Sequence, residues 1–265
     1  MDLKLGDVQT TALIPLAVKA SETLRKDARI KDRKAVEIIR ALHIDTKQYD
    51  KFLSHEGVVA RTIMLDRQVK GIIGKHPDTV IVNVGAGFDN RFERLDNGRI
   101  RWFDLDLPDA IAARKKAFPE RERVTMIAGN ALEDGWCPPV QEALAGSTSK
   151  PVFLAEGLFM YLTLAQIRTF LEILKRNFPD GGTLIAEQNC KLMQKHEKQH
   201  DTVKHTNAHF LSGTDTAQEI ADLTDGIRLI EEHSFNEEMQ KYSLRGKLFA
   251  LLLPKMNDRW ATFRW

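Results

Sequence analysis

Residues 80–91 read VIVNVGAGFDNR. An apolar run rich in β-branched residues ends at two glycines, and the chain then turns polar. Such a run predicts a strand buried on both faces, the kind a parallel sheet uses. Gly85 and Gly87 allow the backbone positive φ and bring its N–H groups against a ligand. A nucleotide phosphate fits such a bend, and so does the charged end of an amino-acid-like cofactor. A dinucleotide fingerprint needs G-x-G-x-x-G, and Asn90 holds the third glycine's place, which weakens an NAD reading.

Working outward from the loop, the rhythm is that of βαβ units. TVIVNV (79–84), IRWFDLD (100–106), RVTMIA (123–128), PVFLAE (151–156) and GTLIAEQ (182–188) are short strand candidates. Helical patterns such as PDAIAARKKAF and TLAQIRTFLEILKRNF fall between them, so the alternation predicts an α/β fold around a parallel sheet. Before the first strand, residues 8–74 repeat their apolar positions at helical spacing, as in TALIPLAVKASETL, DRKAVEIIRAL and EGVVARTIMLDRQVKGII. Residues 190–225 interrupt the alternation with a polar, histidine-bearing stretch expected to be helical. IRLIEEHSF, KLFALLL and RWATFRW supply closing strand candidates. The expected organisation is a helical cap over 1–74 and a core over 75–265, with a lid insertion at about 190–225.

The 265 residues suffice for one sizeable α/β domain. A formal charge of +2 comes from nearly equal numbers of acids and bases with no basic block, so nucleic acid is not an expected partner. Cys137 and Cys190 are far apart and make no disulfide framework. No signal sequence or membrane-spanning run stands out, and a cytoplasmic location without membrane association is expected.

In open α/β sheets ligands bind beyond the carboxyl ends of the strands. Four features fall there: the glycine loop; Asp104 and Asp106, where a carboxylate can accept ribose hydroxyls; GNALED (129–134), with Asn130 and Ala131 placed to read an adenine edge; and Glu156.

These segments resemble a known family. NVGAGFDNRFERL followed by WFDLDLPDAIAARKKAF is similar to the leucine carboxyl methyltransferase family, and more closely to its bacterial branch of tetracenomycin-type polyketide O-methyltransferases. TTALIPLAVKASETL resembles the family's N-terminal helix, and LAEGLFMYLT resembles its Ala-Glu-Gly segment. The resemblance implies the class I methyltransferase fold, a Rossmann-like seven-stranded sheet whose last strand is antiparallel. It implies S-adenosyl-L-methionine as cofactor, S-adenosyl-L-homocysteine as product and a small-molecule methyl acceptor. By the same resemblance Arg61 pairs with the cofactor carboxylate, and Gly85, Ala86 and Gly87 flank its methionine part. Asp106 takes the ribose with support from Asp104, and Glu156 lies near the amino group. Asn90 and Asn130 stand where the family usually has Thr and Asp.

A carboxylate acceptor is ionised at neutral pH and needs no base, whereas a phenol benefits from one. Demanding less of the protein, the carboxylate is the simpler expectation. Lys19 and Tyr161, by resemblance, and His209, from the insertion, are the candidate catalytic residues. His196 and His200 (HEKQH) and His205 and His209 (HTNAH) are i, i+4 pairs of metal-chelating spacing. HEKQH also fits H-E-x-x-H, but no third ligand is implied and no metal is expected. An N-methyltransferase, or a protein that binds the cofactor without catalysis, remains the alternative.

Overall fold

The computed structural model describes residues 10–196 and 208–265. Three helices come first: α1 (Leu13–Thr23), α2 (Arg33–Leu42) and α3 (Phe52–Lys75). Asp32 caps α2 by accepting from the Ala35 N–H at 3.0 Å, satisfying one of the helix's free donors. Arg29 binds Glu56 with both terminal nitrogens (2.8 and 3.0 Å) and also Glu22, while His55 sits between Glu22 and Asp50. These contacts tie α1 to α3 and to the loops beside them through buried charge.

The strands are β1 (Val80–Val84), β2 (Arg101–Asp106), β3 (Val124–Ala128), β4 (Val152–Ala155), β5 (Thr183–Gln188), β6 (Arg228–Ser234) and β7 (Arg259–Arg264). They form one seven-stranded sheet in the order β3-β2-β1-β4-β5-β7-β6. Pairing is parallel from β3 through β5, and β7 runs antiparallel to both of its neighbours. Every residue of β1 is buried, as an unalternating apolar run requires. Its side chains alternate between two cores. Val80, Val82 and Val84 join Phe103, Phe153, Trp136 and Phe170 on one side; Ile81 joins Leu65, Val69, Trp102 and Ile185 on the other. The first core contains α4 (Cys137–Leu144) and α5 (Leu164–Asn177), and α3 covers the second. Thr163 and Gln166 form a capping box that starts α5. Pro108 opens the helix Pro108–Ala117 directly after β2.

Two segments differ from their sequence reading. KLFALLL lies in the helix Leu244–Leu252, not in a strand. Apart from Phe249 the run is Leu, Lys and Ala, good helix formers, it has no β-branched residue, and Ser243 caps the helix by accepting from Gly246 N–H at 2.9 Å. Within 190–225, only Lys191–Lys195 and Gln218–Ala221 are helical among the described residues. His200 and His205, one member of each histidine pair, lie outside the described residues. No described helix is long and apolar enough to cross a membrane.

Candidate active site

A cavity of about 330 Å³ opens at the carboxyl ends of β1, β2, β4 and β5, where the strand order reverses between β1 and β4. Its size suits a small-molecule site, typically about 300–1,000 Å³.

The glycine loop forms one wall. Gly85 and Gly87 have φ of 70° and 45°, and a Cβ on Gly87 would stand 3.0 Å from the Ala12 Cβ on the opposing segment. Positive φ and that close approach explain why glycine is needed. Asp106 fixes the loop by accepting from Gly87 N–H (2.8 Å) through Oδ2, while its Oδ1 accepts from Leu107 N–H (2.8 Å). Each oxygen keeps a lone pair for a ligand, and Asp106 lines the cavity. Burial raises its pKa against the opposing pull of these amides. Asn130 and Ala131 also line the cavity, with Asn130 Oδ1 held by Leu132 N–H at 3.0 Å.

Asp104 has a different task from the cofactor contact expected of it. It is fully buried and accepts from Trp102 Nε1 (2.9 Å), Asn83 Nδ2 (3.2 Å) and Arg114 (2.7 and 3.0 Å). Arg114 in turn donates to the Gly87 and Asp89 carbonyls at 2.9 and 2.7 Å. Asp104 therefore acts through Arg114 to set the loop's shape. Asn90 binds Glu93 at 2.8 Å and is not on the cavity wall.

Behind the loop runs a chain of alternating charge. Lys19, only 3% exposed, pairs with Asp89 at 3.0 Å. Asp89 meets Arg91 at 2.8 Å, Arg91 meets Glu156 at 2.5 Å and Asp66 at 2.6 Å, and Arg91 itself is wholly buried. Arg61, on α3, stands 2.8 Å from Glu156 Oε1 through Nε, near enough for ion pairing but misaligned for a hydrogen bond. Its Nη1 donates to both oxygens of Glu187 at 3.1 and 3.0 Å. Glu187 also accepts from Gly157 N–H at 2.6 Å. Burial pushes Glu156 up, but the charges of Arg91, Arg61 and Lys19 prevail and bring it down to about 2. The same contest, with Arg91, Lys19 and Arg94 as partners, holds Asp89 well below the usual range. For Glu187 burial wins, aided by Glu156, and its pKa is raised despite Arg61.

Glu156 and Asp89 bind fewer protons folded than unfolded at low pH, so the stability they contribute is present above pH 4.5. It is lost as pH falls through the folded value, about 2 for Glu156. Circular dichroism melts should therefore show stability falling as pH drops from about 4 to 3, below the range in which the raised carboxylates Asp106 and Glu187 act with the opposite sign.

The rest of the cavity is apolar. Met160, Met193, Phe210, Phe235, Met239 and Phe249 line it, with Tyr161, Glu187 and Asp258 as polar groups. The Tyr161 ring lies 5.9 Å from that of Phe210, and burial raises its pKa against a hydrogen bond with Thr11. Lys19 also lines the cavity, on the loop side, where it is paired with Asp89. His209 is exposed and is absent from the cavity wall, which His196 lines instead. Glu187 and Asp258 were not read as site residues from the sequence. Glu187 ends a strand just as Glu156 does, a usable signal. Asp258 has none.

A mixed seven-stranded sheet of this order, with its cavity at a glycine loop and a following acid, defines a class I S-adenosyl-L-methionine-dependent methyltransferase. Residues 12–175 match the leucine carboxyl methyltransferase family, and the chain belongs to that family. It is 25% identical over 235 residues to the tetracenomycin polyketide synthesis O-methyltransferase TcmP of Streptomyces glaucescens, spanning 88% of this chain and 84% of that one. Its fold is similar to that of a Thermobifida fusca YX protein provisionally assigned as a methyltransferase (TM-score 0.63, 13% identity, 96% and 93% of the two chains). It is also similar to magnesium protoporphyrin IX methyltransferase ChlM of Synechocystis PCC 6803 with bound S-adenosyl-L-homocysteine (TM-score 0.50, 9% identity, 88% and 99%). S-adenosyl-L-methionine is accordingly the cofactor. The cavity suits it: a loop without side chains at its bend, an oriented carboxylate after β2, and both charge signs between them.

Proposed function

We propose that the protein transfers a methyl group from S-adenosyl-L-methionine to an oxygen of a small, largely apolar metabolite. One observation carries this reading. A single cavity joins loop, acid and amide features at β1–β3 to an apolar chamber over β4, β5 and β7. The similarity to an O-methyltransferase supports oxygen as the acceptor atom.

In this reading Asp106 accepts the ribose hydroxyls, Asn130 and Ala131 face the adenine, and Gly85, Ala86 and Gly87 let the backbone approach the methionine part. Arg61 and Lys19 supply positive charge for the methionine carboxylate. Arg61 suits a planar anion best, although Glu156 and Glu187 already share it. Glu156 faces the amino group, and Asp104 acts through Arg114. Tyr161 positions the acceptor. The exposed His209 belongs to the lid over 190–225, and residues 1–74 serve as the cap. The cofactor supplies an activated methyl on a sulfonium, and the protein's part is alignment and exclusion of water.

The test is a product screen with methyl-labelled S-adenosyl-L-methionine over phenols, carboxylates and amines. Label in an O-methyl ether or ester is the expected result. Label only in N-methyl products would favour the N-methyltransferase reading, and none at all would favour a binding protein without catalysis.

A further inference from the structure

The helix Leu244–Leu252 turns one face to the protein and leaves the other bare. On the inner face Gly246 is buried, where a Cβ would collide with the Met239 carbonyl, and Phe249 packs on the second core while also lining the cavity. The outer face is leucine. Leu244, Leu248, Leu251 and Leu252 are 74%, 46%, 73% and 71% exposed, and their spacing of i, i+4, i+7 and i+8 makes them one stripe. Leu253, Tyr242 and Phe52, also exposed, extend the apolar surface. An exposed leucine standing alone needs no explanation, but a contiguous set marks a surface that meets something.

The charge around the stripe is of one sign. Arg245 and Lys247 are exposed and fall on its two margins, roughly 80° either side of the midline at about 3.6 residues per turn. Arg245 Cζ stands 5.8 Å from the centre of the Phe52 ring, and exposed Lys51 precedes that ring. Between Glu238 and Asp258 the sequence holds Lys241, Arg245, Lys247 and Lys255 and no acid. Of the flanking acids, Glu238 is buried and bound by Arg67, Lys241 and Tyr242, and Asp258 lines the cavity.

This combination selects among occupants. A second copy of the chain would set these cations against their own like. A helix about 13 Å long is also small beside the roughly 800 Å² per partner of a stable interface. Protein partners are anchored chiefly by Trp, Tyr and Arg, and leucine is under-represented among such anchors. A leucine ridge with cations on both margins is matched by a bilayer surface: the leucines enter the acyl boundary, and the Arg and Lys stems reach back to anionic headgroups.

We propose that the helix Leu244–Leu252 seats the protein on an anionic lipid surface, with the cavity directly behind it. The helix lies on the bilayer and does not span it, so the expected lack of membrane association is replaced by a reversible, peripheral one. The proposal is independent of which acceptor atom is methylated.

Flotation of the full chain with vesicles of phosphatidylcholine, alone or with about 30 mol % phosphatidylserine, tests it. At about 0.1 M salt the protein should partition onto the anionic vesicles at least about tenfold more than onto the neutral ones, and about 0.5 M salt should remove most of that difference by screening. The double variant Leu251→Ser/Leu252→Ser should lower partitioning onto anionic vesicles at least about tenfold, and so should Lys247→Glu. These sites are exposed, so each variant should melt within about 2 °C of the parent. Leu252→Trp gives a readout that requires no loss of binding: its emission should shift to the blue when anionic vesicles are added. Failure of the parent to float with anionic vesicles overturns the proposal. So does equal partitioning by parent and leucine variant, equal partitioning onto both vesicle types, or an unshifted Leu252→Trp emission. A dimer of the parent that dissociates in Leu251→Ser/Leu252→Ser, without flotation, overturns it in favour of a second copy.

Discussion

Replacing Arg91 by alanine should lower the melting temperature by roughly 6–20 °C, the largest effect expected of any single substitution in the site. Its guanidinium is completely buried and joins three carboxylates, Asp66, Asp89 and Glu156, on three sides. Removing one partner of a buried ion cluster leaves the others desolvated and mutually repelling, at a cost of about 3–5 kcal/mol. In a chain of this size each kcal/mol moves the melting point by about 2–4 °C. Arg91→Lys keeps the charge but replaces a three-way planar fork with one ammonium, and should fall between alanine and the parent. Thermal unfolding at pH 7 measures both. A melting point within 2 °C of the parent for Arg91→Ala would show that this cluster does not hold the loop, α3 and β4 together.

Asp106→Ala should weaken S-adenosyl-L-homocysteine binding about 10- to 150-fold. In the proposed site the ribose hydroxyls lose their charged acceptor, a loss worth about 1.5–3 kcal/mol in all. The loop also loses its anchor, because Asp106 Oδ2 holds Gly87 N–H. Asp106→Asn separates the two effects: the amide oxygen still accepts from Gly87 but without charge, so its loss should be smaller. Calorimetric titration checks both. Asp106→Ala binding as tightly as the folded parent would remove Asp106 from the cofactor site.

Much of this was legible along the chain, for local reasons. The β1 run lacks polar alternation because both faces are covered, and the helical repeats of α1, α2 and α3 follow their buried stripes. Gly85 and Gly87 show because a positive-φ bend tolerates little else. Asp106 and Glu156 were readable as cavity-lining residues because strand ends open onto the crevice of an open sheet. What failed to show depends on distant packing. Asp104 and Asp106 share a face of β2 and look alike in sequence, yet Arg114 and Trp102 cover only the first. Lys19 reads as an acceptor-side cation until Asp89, seventy residues on, claims it. Asp258 is one acid in a polar stretch, and only the antiparallel return of β7 places it against Glu187. The Leu-rich run at 247–253 is ambiguous by periodicity, and its cap decides for helix.

The central claim is a methyltransferase cofactor site at the glycine loop, and calorimetric titration of the purified protein tests it most directly. The account predicts saturable binding of S-adenosyl-L-homocysteine at one site per chain and no heat of binding with NAD. Tight binding of NAD, with no response to S-adenosyl-L-homocysteine, would contradict it.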